Sequence, residues 1–190
     1  TQVVTPSNDT TPSYVFTTGE AGTITTNITE GFSTSNSAAT GSNQTITFNT
    51  LGAGTYADKT ITVTDAAGNA SSLTLVTFVI DTASPTAAIT YNSTSPYKNG
   101  DTVTITATFN GPVADSPVPT IAIAGSGIAN VTSTNMTKTS TTVYTYSYAV
   151  PTGDGTGTVT VGTAQDAAGN VVTSTPTSGA TFTVDNTAPT

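Results

Sequence analysis

The chain has 190 residues, enough for one or two domains, with 3 basic and 11 acidic side chains and a formal net charge of −8. So few cations cannot neutralise several phosphates, which excludes nucleic-acid binding through a basic groove. The sequence contains neither His nor Cys and so lacks the common nucleophile–base pairs and every imidazole or thiolate metal site, which favours a binding or structural module over an enzyme.

Apolar residues alternate with Thr along the chain, and this period of two predicts β-strands that bury one face and expose hydroxyls on the other. In chain order, the clearest strands are predicted at residues 45–49, 60–64, 102–109 and 158–161. Turn signals such as Gly153-Asp154-Gly155 separate the strands. Short strands with frequent turns are typical of a β-sandwich or barrel. No apolar run reaches the length of a transmembrane helix, so no membrane insertion is expected.

Three tyrosines, Tyr144, Tyr146 and Tyr148, are spaced by two and share one face of a predicted strand. We expect these rings to pack in the core or across strands, and not to form a sugar-binding platform. The absence of Trp also disfavours carbohydrate binding, which would need exposed aromatic rings on one face.

One pentapeptide, Asp-Ala-Ala-Gly-Asn, occurs twice, at residues 65–69 and 166–170. After each copy come one predicted strand and a similar ending, at residues 78–86 and 182–190. Two such copies one domain length apart indicate a tandem duplication. The sequence therefore predicts an all-β fold with two domains, residues 1–86 and 87–190, each a sandwich of about seven strands.

These motifs resemble those of the bacterial immunoglobulin-like repeats of very large cell-surface and biofilm adhesins. The resemblance is carried by Asp-Ala-Ala-Gly-Asn, one strand, and then Val/Ile-Asp-x-Thr-x-Pro. It extends through residues 8–14, 20–24 and 45–48 of domain 1, and through 97–103 and 108–113 of domain 2. It implies tandem immunoglobulin-like β-sandwiches, an extracellular location at a cell surface, and neighbouring repeats of the same or identical chains as partners.

One departure from the resemblance concerns a cysteine pair. Relatives of domain 1 often carry two cysteines at the positions that Glu30 and Lys59 occupy here. An ion pair between these side chains would replace the cross-link. If it is exposed, it would contribute at most about 1 kcal/mol to the stability of the domain. The alternative is that Glu30 and Lys59 are two unrelated surface residues.

The resemblance also implies that Ca²⁺ binds between neighbouring repeats. Ca²⁺ takes six to eight oxygen ligands from carboxylates, amides, backbone carbonyls and water, and the acidic residues here lie mostly in turns. Sandwich topology predicts that the outgoing end of domain 1 and the incoming end of domain 2 contribute to one calcium junction, with Asp9, Asp81, Asp115, Asp166 and Asn170 as candidate ligands.

The same topology assigns four more side chains to junctions with domains outside this chain. Asp65 and Asn69 would face a preceding domain, and Asp101 and Asp185 a following one. An alternative remains open for the repeated pentapeptide, because Asp and Gly are also the residues that close a tight hairpin turn.

The leading functional hypothesis is a rigid stalk of tandem immunoglobulin-like repeats in an extracellular surface protein, stiffened by calcium at the domain junctions. A cell-surface or glycan ligand would be a further partner of such an adhesive protein. The alternative is a subunit of a self-assembling surface filament or S-layer, which would require this chain to be complete in itself.

Overall fold

A computed structural model describes residues 2–189, which form sixteen β-strands and no helix. The chain divides into two compact units, Thr1–Thr82 and Ala83–Thr190. Each unit packs its β-sheets, three in unit 1 and two in unit 2, around its own apolar core. The predicted all-β class with two tandem β-sandwiches is confirmed. The described residues include no apolar helix of the length needed to cross a bilayer.

Unit 1 contains eight strands within its described residues. They are β1 (Ser13–Thr17), β2 (Gly22–Thr26), β3 (Ser37–Ala38), β4 (Asn43–Thr47), β5 (Gly54–Tyr56), β6 (Thr60–Thr64), β7 (Ala70–Thr74) and β8 (Phe78–Ile80). The hydrogen-bonded orders are β1-β4, β3-β2-β6-β7 and β5-β8, and all of these pairs are antiparallel.

The last four strands of unit 1 form one long hairpin. The register that pairs Thr60 with Thr74 in β6 and β7 continues without a shift to Gly54 and Ile80 in β5 and β8. The hairpin is interrupted near Asp58, whose φ of 54° is outside the strand region. Its tip is the first Asp-Ala-Ala-Gly-Asn turn, which therefore lies directly before the last two strands of the unit.

The core of unit 1 explains why Thr alternates with apolar residues along these strands. Ile46 from β4 packs in one buried cluster with Ile24 from β2, Ile61 from β6 and Phe78 from β8. The intervening threonines lie on the opposite strand faces, as a half-buried pleated sheet requires. The predicted strands near residues 45–49 and 60–64 are confirmed by β4 and β6.

Unit 2 also contains eight strands within its described residues. They are β9 (Ala87–Tyr91), β10 (Thr102–Phe109), β11 (Thr120–Ala124), β12 (Val131–Asn135), β13 (Thr137–Lys138), β14 (Val143–Ala149), β15 (Gly155–Gly162) and β16 (Thr181–Val184). Two four-stranded sheets, ordered β13-β14-β10-β9 and β12-β11-β15-β16, form the sandwich. The strands predicted at 102–109 and 158–161 are confirmed by β10 and β15.

Aromatic rings fill much of the core of unit 2. Tyr144 and Tyr148 are almost fully buried, and Tyr146 packs against the same cluster from a partly exposed position. The rings of Tyr144 and Phe109 are T-shaped at a centroid distance of 5.8 Å, a favourable aromatic geometry. The prediction that the three tyrosines serve packing is confirmed.

The boundary between the units lies four residues before the predicted one. Backbone bonds explain the difference, because the Pro85 carbonyl accepts the Thr173 N–H at 3.0 Å and the Thr86 N–H donates to Asn110 Oδ1 at 2.9 Å. Residues 85 and 86 therefore pack on the second unit. The sequence ending at Pro85-Thr86, which looked like the exit of domain 1, also forms the start of unit 2.

The prediction of an ion pair between Glu30 and Lys59 is wrong. Among the described residues, the ion pair with an N···O distance within 4.0 Å joins Lys138 and Asp115. The backbone carbonyls of Glu30 and Lys59 are used, by Asn49 Nδ2 and the Leu75 N–H respectively, but their side chains do not meet. Exposed ion pairs gain too little Coulomb energy to immobilise two long side chains, so nothing brings this pair together.

We predict that Ile105→Ala destabilises unit 2 by about 3 kcal/mol, because a fully buried Ile leaves a cavity that the close-packed core cannot fill. Thr108→Ala on the exposed face of the same strand is the matched control and should change stability by less than about 0.5 kcal/mol. Urea denaturation monitored by tyrosine fluorescence measures both. Equal losses for the two variants would contradict the assigned strand faces.

Candidate functional site

The first Asp-Ala-Ala-Gly-Asn turn is closed by its own aspartate. Asp65 Oδ1 accepts the N–H groups of Ala67 and Asn69, both at 2.8 Å, and Asp65 Oδ2 accepts Asn69 Nδ2 at 2.9 Å. Backbone bonds complete the turn, from Asp65 N to the Asn69 carbonyl and from Gly68 N to the Asp65 carbonyl. Gly68 has a φ of +92°, which explains why glycine is required at this position.

The second copy repeats this arrangement. Asp166 Oδ1 accepts the N–H groups of Ala168 and Asn170, and Asp166 Oδ2 accepts Asn170 Nδ2, all at 2.9 Å. Gly169 has the same φ of +92° as its counterpart in unit 1. The pentapeptide is therefore one structural device used twice, in which carboxylate hydrogen bonds fix the turn before β7 in unit 1 and before β16 in unit 2.

These bonds limit what the turn can offer to a metal ion. A carboxylate oxygen accepts about two hydrogen bonds, so the Oδ1 atoms of Asp65 and Asp166 are fully used and only their Oδ2 atoms have capacity for one more partner. Asn69 and Asn170 each donate one backbone and one side-chain hydrogen bond to the same aspartates. The geometry agrees with the turn-closing alternative, and it permits at most one calcium ligand from each aspartate.

The pKa of Asp65 is held below its ordinary value of 3.8, chiefly by the hydrogen bonds from Asn69. The carboxylate form is thus favoured by the folded turn. Protonation in acid removes acceptor capacity from the turn, which links the stability of unit 1 to pH.

Asp9 and Asp81 lie at the same end of unit 1. The Asp81 N–H donates to the Ser7 carbonyl at 2.9 Å. Asp9 follows Ser7 by two residues, so Asp9 and Asp81 are close together. Asp9 Oδ1 accepts the N–H and the hydroxyl of Thr11 at 2.9 and 3.2 Å. Asp9 therefore has one turn-closing oxygen, and its second carboxylate oxygen has no such turn bond.

Asp115 and Asp166 lie at the same end of unit 2. The Ala114 N–H donates to the Gln165 carbonyl at 2.7 Å. Asp115 and Asp166 are the next residues in the two bonded segments and therefore lie close together. The Asp115 side chain is exposed and forms an ion pair with Lys138. The side chain of Lys138 thus competes with any cation for the same carboxylate.

Asp101 and Asp185 lie near the opposite end of unit 2, together with Asp154, which belongs to the predicted turn Gly153-Asp154-Gly155. Asp154 Oδ1 accepts the Asn186 N–H at 2.5 Å, and Asp154 Oδ2 accepts the Thr187 hydroxyl at 2.6 Å. These bonds hold the pKa of Asp154 below its ordinary value, with Thr187 as the largest cause. The position of Asp154 between two glycines was its one sequence signal.

Within either unit, no group of three or more acidic side chains among residues 2–189 is placed to hold a metal ion. The structure brings the predicted ligands together in pairs at unit ends, and it engages most of them in hydrogen bonds or an ion pair. Calcium binding stays a prediction.

The two units share a second feature, which was not predicted from the sequence. In unit 1 the Ser7 N–H donates to the Val79 carbonyl, the Asp81 N–H to the Ser7 carbonyl, and the Val79 N–H to Thr5 Oγ1, at 2.9 to 3.1 Å. These bonds pair residues 5–7 in parallel with the end of the last strand, as the parallel bridge between Ser7 and Ile80 also records.

Unit 2 repeats this pairing bond for bond. The Tyr97 N–H donates to the Thr183 carbonyl, the Asp185 N–H to the Tyr97 carbonyl, and the Thr183 N–H to Ser95 Oγ, at 2.8 to 2.9 Å. We call this feature the parallel clamp, residues 5–7 with 79–81 in unit 1 and 95–97 with 183–185 in unit 2. Its sequence signal is Ser/Thr-Pro-x, at Thr5-Pro6 and Ser95-Pro96.

Unit 1 also contains a half-open cleft of about 510 Å³ between β1 and the β6–β7 pair. Its apolar lining includes Phe16, Ile61 and Leu73, and the acidic residues Glu20 and Asp65 also line it. The first pentapeptide turn therefore borders a groove with both apolar and acidic surface.

Comparison with solved structures finds similarity to fibronectin(III)-like modules of Clostridium thermocellum CbhA. The sequence identity is 15%, the TM-score is 0.36, and the alignment covers 96% of this chain and 90% of that chain. No protein-family model and no curated protein sequence matches the chain. A similarity this slight carries no functional weight, and the fold assignment rests on the sheets and cores of the two units.

We predict that Asp65→Ala lowers the melting temperature of unit 1 by a few degrees at neutral pH, because three hydrogen bonds to the carboxylate are lost. The pKa of Asp65 is depressed by folding, so its stabilising contribution is present above the ordinary value of 3.8 and is lost as the pH falls through the folded pKa. The difference between variant and wild type should therefore shrink in acid. Thermal unfolding across this pH range measures it.

Glu20→Ala is the control for this prediction, because it removes a neighbouring charge that lines the same cleft but makes no turn bond. It should have little effect at any of these pH values. A difference for Asp65→Ala that stays constant into acid would contradict the role of its carboxylate.

Proposed function

We propose that this chain is a non-catalytic, force-bearing spacer from an extracellular surface protein, built of tandem immunoglobulin-like β-sandwiches. The observation that carries the proposal is the parallel clamp, which holds the last strand in each of the two units. A device repeated in tandem units suits a protein whose role is to span distance, since each copy adds the same length and the same resistance.

The direction of the clamp determines how it responds to tension. In a parallel pair, the start of one segment and the end of the other lie at opposite ends of the pair. Tension on the chain in unit 1 pulls residues 5–7 and residues 79–81 apart along their length, so their hydrogen bonds are sheared together. An antiparallel pair pulled from its open end would instead lose its bonds one after another.

Unit 2 has a strand, β9, before its clamp, whereas the described residues of unit 1 have none before theirs. Strand β9 pairs with β10 in the other sheet, and residues 95–97 then reach the last strand. Beyond the clamp, Asn186 donates through Nδ2 to the Gly153 carbonyl at 2.7 Å and accepts the Asn99 N–H through Oδ1 at 2.5 Å. The outgoing chain of unit 2 is therefore fixed by side-chain bonds in addition to the clamp.

Composition supports an extracellular spacer. Hydroxyl-bearing Thr faces solvent on most strands, and the net charge of −8 keeps neighbouring copies apart and soluble. The chain has no His or Cys, and its many hydroxyls have no imidazole base to activate them.

Calcium stiffening is a further part of the proposal, made on the resemblance to adhesin repeats. Asp9 and Asp81 at one end of unit 1, and Asp115 and Asp166 at one end of unit 2, are the residues that would supply carboxylate oxygens. For Asp166 the available atom is Oδ2, since Oδ1 already accepts two backbone N–H groups. Bound Ca²⁺ would neutralise these carboxylates and restrict motion of the segments that carry them.

We predict that Ser95→Ala increases the unfolding rate of unit 2 under tension about fivefold, because the side-chain bond to the Thr183 N–H contributes about 1 kcal/mol to the sheared clamp. Thr5→Val should do the same in unit 1, where Thr5 Oγ1 accepts the Val79 N–H. Single-molecule pulling through the chain ends measures both.

Ser147→Ala is the matched control for Ser95→Ala, since Ser147 is exposed on β14 and makes no side-chain hydrogen bond within the described residues. It should leave the unfolding force unchanged. If Ser95→Ala and Ser147→Ala unfold at the same force, the clamp does not bear the tension and the proposed function fails.

We predict that Ca²⁺ raises the melting temperature of the chain relative to excess EDTA, by the equivalent of about 2.7 kcal/mol when Ca²⁺ is present at about 100 times its Kd. Asp166→Ala should lower the melting temperature under both conditions, because its turn loses three bonds, and should also abolish the response to Ca²⁺.

Asp65→Ala is the matched control here, because it removes the equivalent three turn bonds in unit 1. Its carboxylate is predicted to face a preceding domain and not to bind the same Ca²⁺ as Asp166. It should keep the response to Ca²⁺. A melting temperature that does not respond to Ca²⁺ in any sample would reject the calcium part of the proposal and leave the aspartates as turn residues.

A further inference from the structure

Unit 2 contains two Asn-Gly dipeptides, Asn99-Gly100 and Asn110-Gly111, and the sequence contains no others. In such a dipeptide the glycine nitrogen can attack the asparagine side-chain amide, because no Cβ on the following residue hinders the approach. The rate in a folded protein depends on whether the asparagine side chain and the glycine N–H are held by other bonds. The two dipeptides differ in this respect.

Asn99 lies in an exposed turn that leaves both reacting groups available. The turn is closed by the bond from Asp101 N to the Lys98 carbonyl at 3.1 Å, which uses neither the Asn99 side chain nor the Gly100 N–H. Gly100 has a φ of +88°, and no atom lies within 4 Å of the place where a Cβ would stand. Within the described residues, the side-chain amide of Asn99 has no hydrogen-bond partner.

Asn110 is exposed too, but its side chain is held. Asn110 Oδ1 accepts the Thr86 N–H at 2.9 Å, and the Asn110 N–H donates to the Thr86 carbonyl at 3.0 Å. The amide must break the first of these bonds before its carbon can turn toward Gly111 N. The space around Gly111 is as open as that around Gly100, so crowding does not separate the two sites, whereas the bond to Asn110 Oδ1 does.

We propose that Asn99 is a site of spontaneous deamidation in the folded protein and that Asn110 is protected. The nitrogen of Gly100 forms a bond to Cγ of Asn99, the Cγ–Nδ2 bond breaks, and Nδ2 leaves as ammonia with the proton that the Gly100 nitrogen gives up. Water then opens the resulting succinimide at either carbonyl, which yields aspartate or isoaspartate. The chain gains one water, loses one ammonia and acquires one negative charge.

The product changes the surroundings of the parallel clamp in unit 2. Asn99 is two residues beyond Tyr97, and its N–H donates to Asn186 Oδ1 at 2.5 Å. Isoaspartate inserts a methylene into the main chain of this turn, and either product places a carboxylate near Asp101, whose Oδ2 already accepts the Lys98 N–H at 3.0 Å. Deamidation therefore loosens the outgoing chain of unit 2 and lowers its melting temperature.

The test is to age the folded chain in mildly alkaline buffer at physiological temperature and to map deamidation at both sites by peptide mass spectrometry. A parallel sample in concentrated urea gives the rates set by local sequence alone. We expect the ratio of the Asn99 rate to the Asn110 rate to be at least about fivefold higher in the folded chain than in urea, the factor that one hydrogen bond of about 1 kcal/mol provides. Isoaspartate at residue 99 is identified by enzymatic methylation.

Two outcomes would overturn the inference. A ratio that is the same in folded and unfolded samples would show that the Asn110–Thr86 bond gives no protection. A folded chain in which Asn99 reacts no faster than Asn110 would reject Asn99 as the reactive site. Asn99→Ser removes the reacting amide, so the aged variant should keep its melting temperature; a loss equal to that of aged wild type would refute the effect on unit 2.

Discussion

The fold of each unit depends on two sets of polar bonds, one at the turn that leads toward its last strand and one at the end of that strand. Before β7 in unit 1 and β16 in unit 2, the Asp-Ala-Ala-Gly-Asn turn is fixed by a carboxylate that accepts three hydrogen bonds. At the end of the last strand, a Ser/Thr-Pro-x segment pairs with it in parallel and adds a hydroxyl as an extra acceptor. Between these two anchors, residues such as Phe78 and Phe182 reach the cores. A chain with few charges and no disulfide thus relies on these polar bonds to hold the strand that completes each core.

The same polar bonds explain why acidic residues in turns are ambiguous as metal ligands. A carboxylate that closes a turn and one that binds Ca²⁺ have the same sequence context, since both favour Asp beside Gly and Asn. What separates them is how many lone pairs remain, and this is visible only when the N–H donors are located. Asp166 retains capacity on one oxygen, whereas Asp115 is engaged by Lys138.

Much of the fold could be predicted from the alternation of Thr with apolar residues, because a period of two assigns each side chain to a face. The repeated pentapeptide likewise identified a real structural unit. The parallel clamp was missed because Thr5-Pro6 and Ser95-Pro96 are unremarkable in a chain with so much Thr, and their partners are some 70 to 90 residues away. The Glu30–Lys59 pair failed for a related reason, since two exposed charges have no packing to bring them together.

The distance in sequence between the partners of the clamp also has a consequence for biogenesis. Residues 5–7 pair with residues 79–81, and residues 95–97 pair with residues 183–185. Nearly the whole unit must therefore be available before its clamp can form. Contacts of this kind are slow to form because a long loop must first be ordered. A unit delivered from its N-terminus through a narrow export channel would remain open until its last strand emerged, and would then fold on the far side of the membrane.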